Sequence, residues 1–556
     1  MLVVLAGAAA LGPSLPEREL MPPDEPRFAL VAREMYERGD PVLLTRGGEL
    51  YTDKPPLLFW AQSAAFLLLG GPGEAAARLP SLVATLALIA LLHRTGRRWV
   101  GEPGATYGAL AYLSCLLVLE RGAWCSTDAL LAVGVFGAVA ALSSASAASG
   151  VTPSSSRAHA GVVAATWLAV GTLAKGPVAF AIVGIAALAS WLLGAGLVSL
   201  RPLLRPLPLA TLAALLFPWP LALVSRLGLG PPLEALWRQN VVRFVQSWDN
   251  LEPWWFQGWS LLSGLFPWTL LAGVALAPKI LGPLLADRTR RWLALWPALM
   301  VVFFSIPAGK RGVYLLPIYP ALALLIGSSL ERIAEHVAAR RAAAAGAVLV
   351  ACVLGLLAGT AAEPAWRGSP LPPDLAEIGA VRSGAATVLG LMSAALLWSG
   401  IASWRGRPLA VVAGPTSFAI LVGLLYPSVV TPALNAAQGA RAFAEQAISH
   451  TPANARIGWT RNKWELIAWY TSWRGQRLDS PRAVSHFLAD GESPAVAVGP
   501  FEELGPERDF PAGSRVADVG RLGRDRVAVV VRGLAKEREP FPQSPNGPVD
   551  KNAAGS

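Results

Sequence analysis

The chain has 556 residues, of which 54% are hydrophobic and only 15% charged, and its mean hydropathy is +0.47. Soluble domains carry about 25% charged residues, so a water-soluble enzyme is excluded. The 47 Lys and Arg against 36 Asp and Glu leave a net charge of +11, but these cations come in short clusters between long apolar runs. That is membrane topology, not the single basic face of a nucleic-acid-binding protein.

A hydrocarbon core about 30 Å thick needs roughly 20 apolar residues per helix, because unpaired backbone amides cannot be left in lipid. Spans are expected near 1–16, 77–93, 104–120, 127–146, 160–174, 177–195, 206–225, 258–278, 291–307, 313–330, 342–360, 384–403 and 409–429. Between the first two lies a long loop, 17–76, with a helical pattern through Ala29, Ala32, Met35 and Tyr36 and an apolar stretch Leu57–Leu69 that reads as a helix lying in the interface. Beyond residue 430 the character changes: a helix-like Ala440–Ser449, then short apolar runs Ala495–Gly499 and Val527–Val531 that read as strands. The expected organisation is a membrane module over 1–430, a small α/β domain over 431–533, and a disordered tail over 534–556, rich in Pro, Lys and Glu. The three cysteines, Cys115, Cys125 and Cys352, suggest neither a disulfide framework nor a zinc site.

If the spans alternate, Arg94, Arg97 and Arg98, then Arg201 and Arg205, Arg288 to Arg291, Arg340 and Arg341, and Arg405 and Arg407 all fall on one face. The positive-inside bias makes that face the cytoplasm, with the N-terminus inside and the C-terminal region outside. The opposite face carries the unusual chemistry. Asp24 sits between the first span and the loop helix, where it reads either as an ordinary N-cap or as a carboxylate that serves as a base or orients an acceptor. In Tyr51-Thr52-Asp53-Lys54-Pro55-Pro56 two prolines stiffen a charged corner suited to phosphate. Asp128 opens the fourth span, with Ser126 or Thr127 available to cap it instead. Lys175 lies in a hairpin that glycine and proline alone could turn, and Arg243, Lys310 and Arg311 add further cations. Positive charge outside opposes the topology bias, so together these cations define an anionic-lipid or phosphate site.

The order of these motifs resembles the polyprenyl-phosphate-sugar glycosyltransferases of the GT-C superfamily, with the aminoarabinose lipid A transferases nearest and the protein O-mannosyltransferases more distant. The resemblance runs through Asp24-Glu25-x-Arg27, Arg33-Glu34-Met35, Tyr51-x-Asp53-Lys54-Pro55, Thr127-Asp128, Lys175-Gly176, Arg243-Phe244, Glu252-Pro253-Trp254-Trp255 and Gly309-Lys310-Arg311-x-x-Tyr314-x-x-Pro317. It implies an α-helical polytopic membrane protein of the GT-C type with about thirteen spans and a small extracytoplasmic α/β domain. It implies an inverting enzyme of the bacterial inner membrane that takes a polyprenyl-phosphate sugar as donor and a lipid A-like glycolipid or other glycan as acceptor, with no nucleotide cofactor. By the same resemblance Asp24 and Asp128 are catalytic, and Asp53 and Asp128 form a carboxylate pair able to hold a divalent metal ion. Arg27, Tyr51, Lys54, Lys175, Arg243, Lys310, Arg311 and Tyr314 bind substrate and its phosphate. A protein O-mannosyltransferase-like enzyme is the nearest alternative. A lipid-linked-sugar flippase is the other, although a transporter places its ionisable groups near the bilayer midplane.

Overall fold

The computed structural model describes residues 1–16, 18–147, 154–242, 244, 246–247, 250–362, 379–407, 409–460, 464–490, 493–504, 510–522 and 525–532. The expected disordered tail lies outside the described residues. The chain divides into two compact units, Met1–Arg441 and Ala442–Ser556.

The apolar runs of the first unit are helical, as they must be in lipid to satisfy their own amides. In chain order its helices begin α1 (Leu2–Leu11), α2 (Asp24–Arg38), α3 (Leu57–Leu69), α4 (Glu74–Trp99), α5 (Glu102–Ser114), α6 (Leu116–Arg121), α7 (Asp128–Ala147), α8 (Ser154–Lys175) and α9 (Val178–Leu192). Among the described residues six helices are long and apolar enough to cross a membrane, or up to eight if two bent pairs each count as one span. The expected thirteen are therefore not all full-length spans. The run near 1–16 folds as the ten-residue α1 plus one 3-10 turn, Gly12–Ser14. The run near 104–120 is broken at Cys115, where extended backbone separates α5 from α6. The run near 258–278 bends by 97° between Phe256–Gly264 and Trp268–Ala275, a break that contains Pro267, which cannot donate an amide to the helix. Composition reveals apolar length; it does not reveal a turn inside it.

Two helix crossings are made possible by missing side chains. A Cβ on Gly327 would lie 2.1 Å from the Gly104 carbonyl oxygen and 2.5 Å from the Gly108 nitrogen, so α5 and the helix Tyr319–Glu335 meet backbone to backbone. A Cβ on Gly134 would lie 2.5 Å from the Gly171 nitrogen, where α7 crosses α8. Small residues at such crossings let dispersion and packing hold helices together where no hydrophobic effect operates between them. Gly327→Leu is accordingly expected to lower stability by roughly 1–3 kcal/mol through overpacking, read as a lower unfolding temperature in detergent; an unchanged transition would mean that the crossing is not tight.

The first loop is built on α2 and α3, which carry between them a two-residue hairpin, β1 (Thr45–Arg46) with β2 (Glu49–Leu50). Glu34 of α2 accepts from the Gly47 and Gly48 amides at the hairpin turn, at 2.5 and 3.2 Å. The loop is tied to the helix Pro218–Leu227 by Trp219 Nε1, which donates to the Val42 carbonyl at 3.1 Å, and by the Arg226–Asp40 ion pair at 2.7 Å.

The second unit holds a five-stranded sheet in the order β4-β3-β5-β7-β6, with β3 Arg456–Trp459, β4 Gly475–Arg477, β5 Ala495–Pro500, β6 Ser514–Leu522 and β7 Asp525–Arg532. β3 runs parallel to β4 and β5, whereas β7 is antiparallel to β5 and β6. The central β5 is buried from Ala495 to Gly499, which is why its sequence is a continuous apolar run and not an alternating one. The helix Pro481–Ala489 starts on Ser480, whose side chain accepts from the Ala483 amide, and places Val484, Phe487 and Leu488 in the core.

Candidate active site

Asp24 does not cap its helix. The N-cap position belongs to Pro23, and Asp24 is the first helical residue, so its carboxylate is released for other partners. Its Oδ1 accepts from Arg27 Nη2 at 2.6 Å and its Oδ2 from Arg311 Nη2 at 2.5 Å. Arg27 reaches Asp24 because the two stand three residues apart on α2; Arg311 comes from 287 residues further along the chain. Burial alone would raise the Asp24 carboxyl. The Arg311 hydrogen bond and the charges of Arg311, Arg27 and Lys175 outweigh it and hold the group below its ordinary value.

Asp128 is the first residue of α7, its amide donating to Ser126 Oγ at 3.4 Å. Its carboxylate accepts from Lys175 Nζ, at the last residue of α8. Lys175 also lies 4.7 Å from the centre of the Tyr314 ring, a cation–π arrangement. The turn to α9 is made by Gly176 at φ +92°, a left-handed conformation for which glycine has no steric penalty. Lysine is therefore not there to make the turn.

Next to this pair is a cavity of about 160 Å³, lined among others by Lys54, Lys175, Gln239, Asn240, Phe244 and Tyr314. Lys54 contacts the Asp53 carbonyl oxygen at 3.2 Å, and the Asp53 carboxylate accepts from Gln239 Nε2 at 2.7 Å. Tyr51 is buried edge-on against Phe59, its hydroxyl without a hydrogen-bond partner among the described residues, and burial pushes the phenol well above the usual tyrosine value. Lys310 is placed differently: its ammonium donates to the Glu252 and Ala308 carbonyls at 2.8 and 3.4 Å. Thus Asp24, Arg27 and Arg311 are brought into one cluster, and Lys54, Lys175 and Tyr314 into one cavity wall with Asp128 bound to it. Arg243 lies outside the described residues.

The expected metal pair is not assembled as a metal site. Asp128 is taken by Lys175 and Asp53 by Gln239, and among the described residues no three His, Cys, Asp or Glu side chains gather. Calcium takes about six to eight oxygen ligands, and even magnesium needs one or two carboxylates free to face it; here both are held by other side chains, and the donor set does not fit a divalent ion.

Two features escaped sequence reasoning. One is Gln239, an uncharged residue in the π-helical turn Arg238–Val242, for which no sequence signal exists. The other is a buried ionic cluster directly behind Asp24. The Glu25 carboxylate accepts from Arg18 Nη2 at 3.0 Å, from Arg78 Nε and Nη2 at 2.8 and 2.9 Å, and from the Met21 and Cys125 amides, both at 3.0 Å. Arg78 also donates to the carbonyls of Leu15, Arg18 and Glu19. Arg78 lies inside an expected span, and an intramembrane cation is itself a signal.

The membrane half of this geometry recurs in known proteins. Residues 53–222 match the model of the dolichyl-phosphate-mannose-protein mannosyltransferase family. A stretch of 335 residues is 28% identical to the undecaprenyl phosphate-alpha-4-amino-4-deoxy-L-arabinose arabinosyl transferase of Edwardsiella ictaluri, covering 57% of each protein. A stretch of 435 residues is 27% identical to the enzyme of the same name from Erwinia tasmaniensis, covering 74% of each. The match thus spans little more than half the length of the first of these relatives. The crystal structure of ArnT from Cupriavidus metallidurans bound to undecaprenyl phosphate superposes with a TM-score of 0.76, at 22% identity, over 95% of this chain and 97% of that one. The chain has the fold of ArnT. It is an α-helical integral membrane protein with a small sheet-containing unit, similar in sequence to the arabinosyl transferases above.

Proposed function

We propose that the chain is an inverting glycosyltransferase that moves a sugar from a polyprenyl-phosphate donor to a lipid A-like glycolipid or another glycan on the outer face of a bacterial inner membrane. Its N-terminus is then cytoplasmic and its sheet-containing unit extracytoplasmic. The observation that carries this reading is the adjacency of two charged groups: Asp24 between Arg27 and Arg311, and the cavity bearing Lys54, Lys175 and Tyr314. The ArnT relatives and the undecaprenyl phosphate bound in the Cupriavidus structure point to the same donor class.

The chemistry follows from these groups. The acceptor oxygen attacks the anomeric carbon from the side opposite the phosphate, and the carbon–oxygen bond to phosphate breaks, leaving its electron pair on the phosphate. Lys54 and Lys175 stand where that charge develops, and pre-organised cations in a site of low dielectric constant stabilise it most in the transition state. Asp24, held ionised and weakly basic by two guanidiniums, is better suited to orienting an acceptor than to removing its proton early. That favours an acceptor already anionic, such as a glycolipid phosphate, which Arg27 and Arg311 can share. The residues present do not fit a divalent metal ion, and no step is assigned to one.

The family-model match favours a second reading, transfer to a protein hydroxyl. Both are decided by presenting the protein in proteoliposomes with labelled undecaprenyl-phosphate sugars and, separately, lipid A and hydroxyl-bearing peptides. Transfer to lipid A alone is the expected result; transfer to peptide alone favours the second reading, and no transfer from any donor overturns both. Lys175→Met is expected to raise the donor KM at least about tenfold, as loss of one charge-assisted phosphate contact does. An unchanged KM would remove Lys175 from the donor site.

A further inference from the structure

Lys310 is only 3% exposed, and its surroundings are unlike those of the other outer-face cations. Its backbone amide donates to the Asn250 carbonyl at 2.8 Å, and the Glu252 amide donates to the Ala308 carbonyl at 3.1 Å. Leu251 and Gly309 thereby face each other in an isolated antiparallel bridge. Asn250 takes φ +52° at this point, a left-handed conformation that Asn tolerates better than most residues. The Lys310 ammonium then binds the Glu252 carbonyl at 2.8 Å and the Ala308 carbonyl at 3.4 Å, one from each side of the bridge. A buried ammonium is costly unless its hydrogens are taken up, so the side chain is held to these two carbonyls.

The residue after Lys310 is Arg311, whose guanidinium meets Asp24 at 2.5 Å, and Gly309 before it lines the donor cavity. The backbone that places both is the backbone that the lysine fastens. Among the described residues one other side chain hydrogen-bonds the Arg311 backbone, at a long 3.5 Å from Gln257 Nε2 to the Arg311 carbonyl.

The geometry points to Lys310 as a positioning residue that closes the clip between residues 250–252 and 308–310, and so holds Arg311 against Asp24. This rests on the glycosyltransferase reading for its kinetic consequence, because only there does the direction of the Asp24 carboxylate set the rate. A displacement of about 1 Å at a reacting group can cost roughly a hundredfold, so a loosened clip acts on kcat. A ligand of the donor phosphate would act on KM instead.

The test compares wild type with Lys310→Met, Lys310→Arg and Arg311→Met in proteoliposomes, with undecaprenyl-phosphate-4-amino-4-deoxy-L-arabinose as donor and lipid A as acceptor. Lys310→Met is expected to lower kcat roughly tenfold to a hundredfold with the donor KM within about threefold. Lys310→Arg, whose guanidinium can span both carbonyls, recovers most of that rate. In an Asp24→Asn background Lys310→Met adds nothing further, since residues acting through one group are not additive. A donor KM raised tenfold at unchanged kcat would make Lys310 a phosphate ligand and overturn the proposal.

A second readout needs no activity: carbodiimide labelling of the Asp24 carboxyl, followed by mass spectrometry. Labelling rises in Lys310→Met as it does in Arg311→Met, and returns to the wild-type level in Lys310→Arg. If it rises in Arg311→Met alone, Lys310 does not position Arg311. Should wild type transfer sugar from no donor, the function reading falls while the labelling still decides the clip. Where Lys310→Met does not yield monodisperse protein, Lys310→Gln, which keeps one donating group, takes its place in both assays.

Discussion

Asp24→Asn is expected to reduce transfer by roughly a hundredfold or more, the cost of misplacing a reacting group by about 1 Å, with the donor KM close to that of wild type. The amide is nearly the same size but carries no charge, and its nitrogen has no acceptor on either guanidinium. Arg27 and Arg311 are then left facing each other without the carboxylate that separates them. The pH dependence has a definite sign. Because the folded Asp24 carboxyl is held below its ordinary value, it stays ionised as pH falls past about 3.9, the usual aspartate value. The acid limb of the rate attributable to Asp24 therefore lies below that pH, and it is absent from the residual activity of Asp24→Asn. Single-turnover rates in proteoliposomes from pH 4 to 8 check this: no fall attributable to Asp24 is expected in that range, and a fall present in wild type but absent from Asp24→Asn there would contradict it. A variant that keeps more than a tenth of the wild-type rate would show that Asp24 only builds the fold of the loop.

The sequence made the helices legible because lipid imposes a single rule on every span. α2 and α3 lie where apolar periodicity placed them, as do the strands β5 and β7 and the helix Ala440–Ser449. The break at Cys115 was not legible, since it sits inside an unbroken apolar run; the one within residues 265–267 carried a signal in Pro267 that apolar length alone does not use. For the site, residue type and side of the membrane were enough to collect the cations, but not to tell their tasks apart. Lys54 and Lys175 wall the cavity, Arg311 pairs with Asp24, and Lys310 turns into backbone carbonyls one residue away. Neighbours in sequence point to opposite uses because side-chain direction is decided by backbone conformation, which no pattern of charges encodes. The same limit hid Glu25: next to Asp24 it reads as one more loop acid, until Arg78 is brought to it across 53 residues.

That hidden pair carries the second large effect. Both side chains are fully buried, and Arg18 shares the same carboxylate, so Glu25→Gln leaves two buried guanidiniums uncompensated. Glu25→Gln should cost about 3–5 kcal/mol of stability, and Arg78→Met less, because Arg18 still compensates the carboxylate. Burial by itself would raise the Glu25 carboxyl, but Arg18, Arg78 and the Cys125 amide bring it from 4.5 down to about 2. A carboxyl depressed in the folded state contributes stability that is fully present above its unfolded value and is lost as pH falls through the folded one. The window is thus from about 4.5 down to about 2, and at about 1.4 kcal/mol per pKa unit the whole effect is about 3 kcal/mol, in line with the cost of breaking the pair. Thermal unfolding in detergent at pH 7, 5 and 3 reads it: wild type should lose most of this stability between pH 5 and 3, whereas Glu25→Gln should lose markedly less over the same interval. Equal losses would place the acid sensitivity elsewhere. The pair also explains why Asp24 can be held so firmly at the edge of a mobile bilayer. Glu25 fastens Asp24's own helix to α4 and, through the Cys125 amide, to the turn that leads into Asp128. Asp24 and the cavity beside Lys175 are thereby referenced to one buried ion pair, so weakening that pair should depress kcat at temperatures well below unfolding.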